Sequence, residues 1–120
     1  MVDYAWDDLD RIDRFRIYTE HNGAPVQTDD ARYAYDALNR LVREQESHVP
    51  KEQGGVSETA APQRTSLFTF LGSSRFHATE RHENASAQSV ITKTYRYDAL
   101  GVRYGMDTAL EVQPRTGCLV

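Results

Sequence analysis

Aromatic side chains recur in this chain at alternate positions: Tyr4 and Trp6, Tyr33 and Tyr35, Phe68 and Phe70, Tyr95 and Tyr97. A spacing of two puts both rings of a pair on one face of an extended segment, and aromatic residues favour strands. Each pair opens a similar phrase: "YAWDDLDRI" from Tyr4, "YAYDALNRL" from Tyr33, "FTFLGSSRF" from Phe68 and "YRYDALGVR" from Tyr95. In all but the third phrase an aspartate follows the rings, as Asp7, Asp36 or Asp98. Aspartate suits the first position of a type I turn, where its carboxylate caps nearby amides. The next column reads Asp10, Asn39, Ser74 and Gly101. Gly, Asn and Asp tolerate the left-handed backbone that closes such a turn through a bulge. Arg11, Arg40 or Arg75 comes next, followed by Ile12, Leu41 or Phe76 to open a return strand. In the fourth phrase Val102 displaces the arginine to Arg103. The pattern predicts a mainly β chain built from successive antiparallel hairpins.

A second pattern competes over residues 30–47. There Ala31, Tyr35, Leu38, Leu41 and Val42 fall on one helical stripe, among good helix formers, with Thr28 or Asp29 available as a cap. Taken alone, this segment predicts a helix that would serve as the binding element of a small interaction domain. The parallel phrases favour strand instead, because "VITKTYRYDALG" enters through β-branched residues and a shared motif should share a conformation. The expected organisation is two repeats over residues 1–47, then a polar linker over 48–66 punctuated by Pro50, Gly54, Gly55 and Pro62. A degenerate repeat and a fourth repeat follow over 67–106, and residues 107–120 form a tail.

Composition narrows the function more than the fold. Of 120 residues, 39% are hydrophobic and 27% charged, so the core is expected to be thin. The net charge of −4, with both signs interspersed, leaves no electrostatic footprint for nucleic acid. No apolar run reaches the length of a membrane helix, and "VDYAWDD" after Met1 lacks the basic and apolar regions of a signal peptide. A single cysteine, Cys118, excludes an internal disulfide and is expected to be a free thiol near the end of the chain.

Candidate chemistry is sparse. His77, Glu80 and His82 cluster in "HATERHE", but their spacing fits no common zinc motif, and on a regular strand His77 and Glu80 would face opposite ways. Asp7, Asp8, Asp10 and Asp13 lack the glycine and closing glutamate of a calcium loop. The serines lie in polar stretches without a nucleophile elbow, and "NAS" at Asn84 is a glycosylation sequon that matters only in a eukaryotic secretory setting. The ring pairs could stack on sugars or bases, although sheet packing accounts for their spacing. No catalytic residue, cofactor or metal is expected.

Tyr-x-Tyr-Asp-x-x-Gly-Arg-Leu, as written here by Tyr33, Tyr35, Asp36, Asn39, Arg40 and Leu41, resembles the YD repeat of the RHS and YD-repeat proteins. Tyr4, Trp6, Asp7 and Arg11 resemble it with Trp for the second Tyr; Tyr95, Tyr97, Asp98 and Gly101 resemble it with the arginine displaced. Phe68 and Phe70 open a degenerate copy, and this part is similar to the region just ahead of the RHS core domain. The resemblance implies a non-enzymatic segment of a spiralling β shell that, in bacterial members, encloses a C-terminal toxin. The partners it implies are the remaining shell and that toxin, in a secreted or cell-surface setting. The family's core domain and any toxin sequence are absent, so the chain is expected to be a truncated piece with open sheet edges prone to self-association.

Overall fold

A computed structural model describes residues 1–112. Its strands are β1 (Val2–Trp6), β2 (Ile12–His21), β3 (Ala24–Tyr35), β4 (Leu41–His48), β5 (Arg64–Phe70), β6 (His77–Asn84), β7 (Ser89–Tyr97) and β8 (Arg103–Val112). They form one antiparallel sheet in chain order, each strand pairing only with its sequence neighbours. A 3-10 turn at Lys51–Gln53 accompanies them. The mainly β expectation therefore holds, and the helical reading of residues 30–47 is overturned. Those residues end β3, turn at 36–40 and run along β4. Ladder hydrogen bonds to β2 and β5 on either side, together with the Asp36 turn, outweigh the local helix propensity.

The meander puts its turns on two opposite rims. One rim carries the turns inside the repeated phrases. On the other, Asn22 and Gly23 both take positive φ, 53° and 81°, the requirement of a two-residue hairpin turn matched to strand twist.

Register fixes two chemically different faces. Tyr4 lies opposite Phe15, Phe15 opposite Ala31, and Tyr33 opposite Glu44. Glu44 lies opposite Ser66, Ser66 opposite His82, and His82 opposite Ile91. Directly opposed residues share a face, so this one is aromatic with an acidic middle. The other face holds Arg14, Arg16, Arg32, Arg43, Arg81 and Arg96, interleaved with Asp3, Asp30, Glu83 and Asp107.

Residues 49–63 are not a free linker. They fold back onto β2 and β3: the Val56 N–H donates to the Gln27 carbonyl at 2.7 Å, and the Val49 N–H donates to that of Thr28 at 3.0 Å. Glu58 reaches Arg14 at 3.0 Å on the arginine face. This flap explains why Gln27, Thr28 and Asp30 are among the few buried residues. Two boundaries also move: Arg64–Ser66, read as linker, begin β5, and residues 107–112, read as tail, continue β8. Cys118 lies outside the described residues.

The sheet is a single layer, 58 × 51 × 19 Å, with a radius of gyration of 17.8 Å. A compact domain of this length would have a radius near ~14 Å. Among apolar side chains of the described residues, only Ala31 and Val90 are buried. Strand pairing, not a core between layers, holds the described chain together.

Candidate interaction surface

The repeated phrases build one turn three times. The Asp7 N–H donates to the Arg11 carbonyl and the Asp10 N–H to the Asp7 carbonyl. Asp7 Oδ1 accepts from the N–H groups of Leu9 at 2.9 Å and Arg11 at 3.0 Å, and its Oδ2 accepts from Arg11 Nε at 2.8 Å. Asp36 repeats each distance with Leu38 and Arg40. Asp98 repeats the backbone half with Leu100 and Val102. Asp10, Asn39 and Gly101 close these turns at φ of 58°, 63° and 80°. Burial alone would raise the Asp7 and Asp36 carboxyls. Hydrogen bonds from the arginine backbone and guanidinium, with the leucine N–H, instead hold both below the ordinary carboxylate range.

Each turn then engages the next repeat. The Arg11 guanidinium lies over the Tyr35 ring at 4.5 Å and donates to Asn39 Oδ1 at 2.8 Å. Arg40 lies over the Phe70 ring at 4.5 Å and donates to the carbonyls of Gly72 and Ser74. Contact also runs backwards. Tyr35 Oη donates to the Ile12 carbonyl at 2.9 Å, and Tyr97 Oη donates to that of His77 at 2.7 Å. The second ring of a pair is thus covered by the residue that ends the preceding turn, Arg11, Arg40 or Phe76, and tied by its hydroxyl, where it has one, to the start of the preceding return strand. This is the work of Tyr35, Phe70 and Tyr97. Tyr33, Phe68 and Tyr95 line the aromatic face beside them, while Trp6 on β1 is 60% exposed.

The third phrase is shifted relative to its sequence alignment. One extra turn residue puts Phe70 opposite His77 and brings the Phe76 carbonyl to the Leu71 N–H. Phe76, not Arg75, therefore occupies the arginine position, and it stacks on Tyr97 at 5.4 Å and 28°. Gly72, not Ser74, supplies the positive φ, at 55°. Ser74 Oγ replaces the missing aspartate as acceptor for the Phe76 N–H, at 3.1 Å. In the fourth phrase Val102 fills the arginine position, and Arg103 instead lies 5.0 Å from the Tyr95 ring.

A polar cluster built on the residues of "HATERHE" occupies the middle of the aromatic face. The bulge at Phe70/His77 turns His77 to the side of Glu80, so the two do not face opposite ways. His77 Nδ1 is 3.1 Å from Glu80 Oε1, and His82 Nε2 is 3.2 Å from Glu80 Oε2. Ser66 lies on strand β5, not in a loop, with Oγ 2.9 Å from His82 Nδ1. Burial raises the Glu80 carboxyl, but hydrogen bonds from His82 and Tyr95 and the nearby histidines hold it below its usual range. Glu44 moves the other way: burial and the charge of Glu46 raise it against the pull of His82. Ser66, His82 and Glu80 could pass a proton along a line. Ser66 sits in an interior strand, and the strand there is laddered to β4 and β6. Ser66, His82 and Glu44 line an open groove of about 500 Å³ with Arg64, Phe68 and Ile91. Among the described residues no group of His, Cys, Asp or Glu is placed to hold a metal ion, and no helix is long and apolar enough to cross a membrane.

No protein-family model matches the chain, and no curated protein matches it. Among solved structures, the chain is similar to a DUF3836 family protein from Bacteroides vulgatus ATCC 8482. The match covers 91% of this chain and 96% of that one, at 10% identity and a TM-score of 0.48.

Proposed function

We propose that this chain is a non-enzymatic structural segment of a repeat-built β wall of the RHS or YD type. In a longer, secreted or surface-exposed parent, flanking repeats would extend the sheet and the wall would enclose a C-terminal toxin. One observation carries the reading: a turn, a ring and a guanidinium or ring stacked over it recur at every junction between repeats. Such junctions make each unit dependent mainly on its neighbours, as in an array whose stability is a sum of nearest-neighbour terms. The single-layer sheet and thin burial fit a wall better than a pocketed enzyme.

Native-state hydrogen exchange on Arg40→Ala tests it. Removing the Arg40 grip should accelerate exchange of the amides on β4 and β5 by about tenfold, and leave β1 and β8 within about threefold of their original rates. Uniform acceleration across all eight strands would mean one cooperative core and would overturn the array. A hydrolytic activity abolished by Ser66→Ala would overturn the non-enzymatic reading.

A further inference from the structure

The junctions between repeats share a register, and that register specifies what an additional unit would have to present. At the first junction Arg14 lies opposite Arg32, so two residues back Ile12 aligns with Ala34, between the two rings. At the second, Arg43 lies opposite Leu67, which aligns Leu41 with Thr69 in the same manner. At the third, Thr79 lies opposite Thr94 and aligns His77 with Arg96. The first residue of each return strand thus meets the residue between the rings of the following pair.

Strands β1 and β8 are the edges of the sheet in this chain, and each is one half of such a junction. β8 begins at Arg103, in the place of Ile12, and β1 carries the ring pair Tyr4 and Trp6 around Ala5. Setting Arg103 opposite Ala5 brings Tyr104 to Tyr4, Gly105 to Asp3 and Met106 to Val2. Apolar side chains are exposed at both edges of the aromatic face: Val2 48%, Tyr4 50% and Trp6 60% on one, Val102 59% and Met106 48% on the other, while the Tyr104 ring lies 5.9 Å from the Arg96 guanidinium on the arginine face. In that register Val102 would hold the place of Arg11 and Trp6 the place of Tyr35, whose Oη reaches the Ile12 carbonyl. β8 offers a long edge: ten residues with no proline.

We infer that a second copy of this chain docks β1 against β8 of the first, in the register of the internal junctions. The association is heterologous, so it leaves a free β1 and a free β8 and adds further copies in an open row. The inference rests on the repeat-array reading. It further requires that the two edges fit each other and not merely themselves.

The test uses the full chain with Cys118→Ser as background. Sedimentation velocity should show species that grow with concentration, and Met106→Lys, a charge on an exposed edge, should suppress the growth. Val102→Arg should tighten association by about three- to tenfold, because Asp98 already presents the carboxylate that would hold the guanidinium over Trp6. That gain should vanish when Trp6→Ala is added. Mixing Val2→Cys chains with Met106→Cys chains should give a disulfide between them. A monomer at all concentrations, or cross-links formed only between two Met106→Cys chains, would overturn the head-to-tail docking. Either result, with the localised exchange response to Arg40→Ala intact, would leave the array reading standing. Loss of that localised response would instead remove the array itself.

Discussion

Asn39 shows how much one backbone angle matters to each repeat. Its φ of 63° lies in the left-handed region, where a Cβ crowds the following carbonyl, and its side-chain oxygen also receives Arg11 at 2.8 Å. Asn39→Gly relieves the first constraint and loses the second, so thermal unfolding should move by less than about 0.5 kcal/mol. Asn39→Ala keeps the strain and loses the acceptor, and should cost about 1–2 kcal/mol. Equal losses from both substitutions would mean that the angle does not limit the turn. Neighbouring Arg40 binds its own turn's aspartate, the next ring and two carbonyls of the next turn at once. A lysine, with no planar fork, could not hold all of these.

Elements here are stabilised from the side, strand by strand. β3 is the exception, since the flap over residues 49–63 also covers part of it. That cover depends on Gly55, whose φ is 73° and where an added Cβ would lie 2.4 Å from the Gln27 carbonyl oxygen and 2.5 Å from Val26 Cγ1. Gly55→Ala therefore cannot keep the flap seated. Proteolysis within residues 49–63 should accelerate by at least about tenfold while the sheet keeps its circular dichroism, because loops that come off their support become cleavable. The Glu58 pair with Arg14 adds less, since Glu58 is largely exposed and water screens the pair. An unchanged cleavage rate in Gly55→Ala would show that the flap is held elsewhere.

For the whole molecule, a single layer makes carboxylates important to stability, because little apolar burial competes with them. Asp7 and Asp36 have lowered pKa values in the fold, so their stabilisation is present above the unfolded carboxylate range and fades as pH falls through the folded values. Glu44 has the opposite sign. Its raised carboxyl favours folding while protonated, and that contribution is lost as pH rises through its folded pKa. Asp36→Asn should therefore lower the melting temperature at pH 7, with the gap to the parent closing in acid. Glu44→Gln should raise it by about 1–3 °C at pH 7 and have no effect below about pH 4. Melting curves of the two variants across pH 3–8 check both signs, and a Glu44→Gln variant less stable at pH 7 would contradict the assignment.

The hairpins were legible in the sequence because their determinants are local. A ring pair at alternate positions, an aspartate and a residue tolerant of positive φ act within about nine residues, as Tyr33 to Leu41 do. Where that signal weakened, the alignment slipped: "FTFLGSSRF" carries an extra turn residue, and only strand pairing reveals that Phe76 stands in the arginine position. The competing helical stripe over residues 30–47 was equally local, and was decided by hydrogen bonds to β2 and β5 that no single segment encodes. The seating of the flap, and the meeting of Ser66 with His82, belong wholly to tertiary structure. They join residues from different strands, and a bulge that periodicity does not announce turns His77 to the side of Glu80. The chain by itself thus determined where it bends and which residues close each bend. Register across strands decided which side chains meet, because cross-strand contact depends on alignment between segments far apart in sequence.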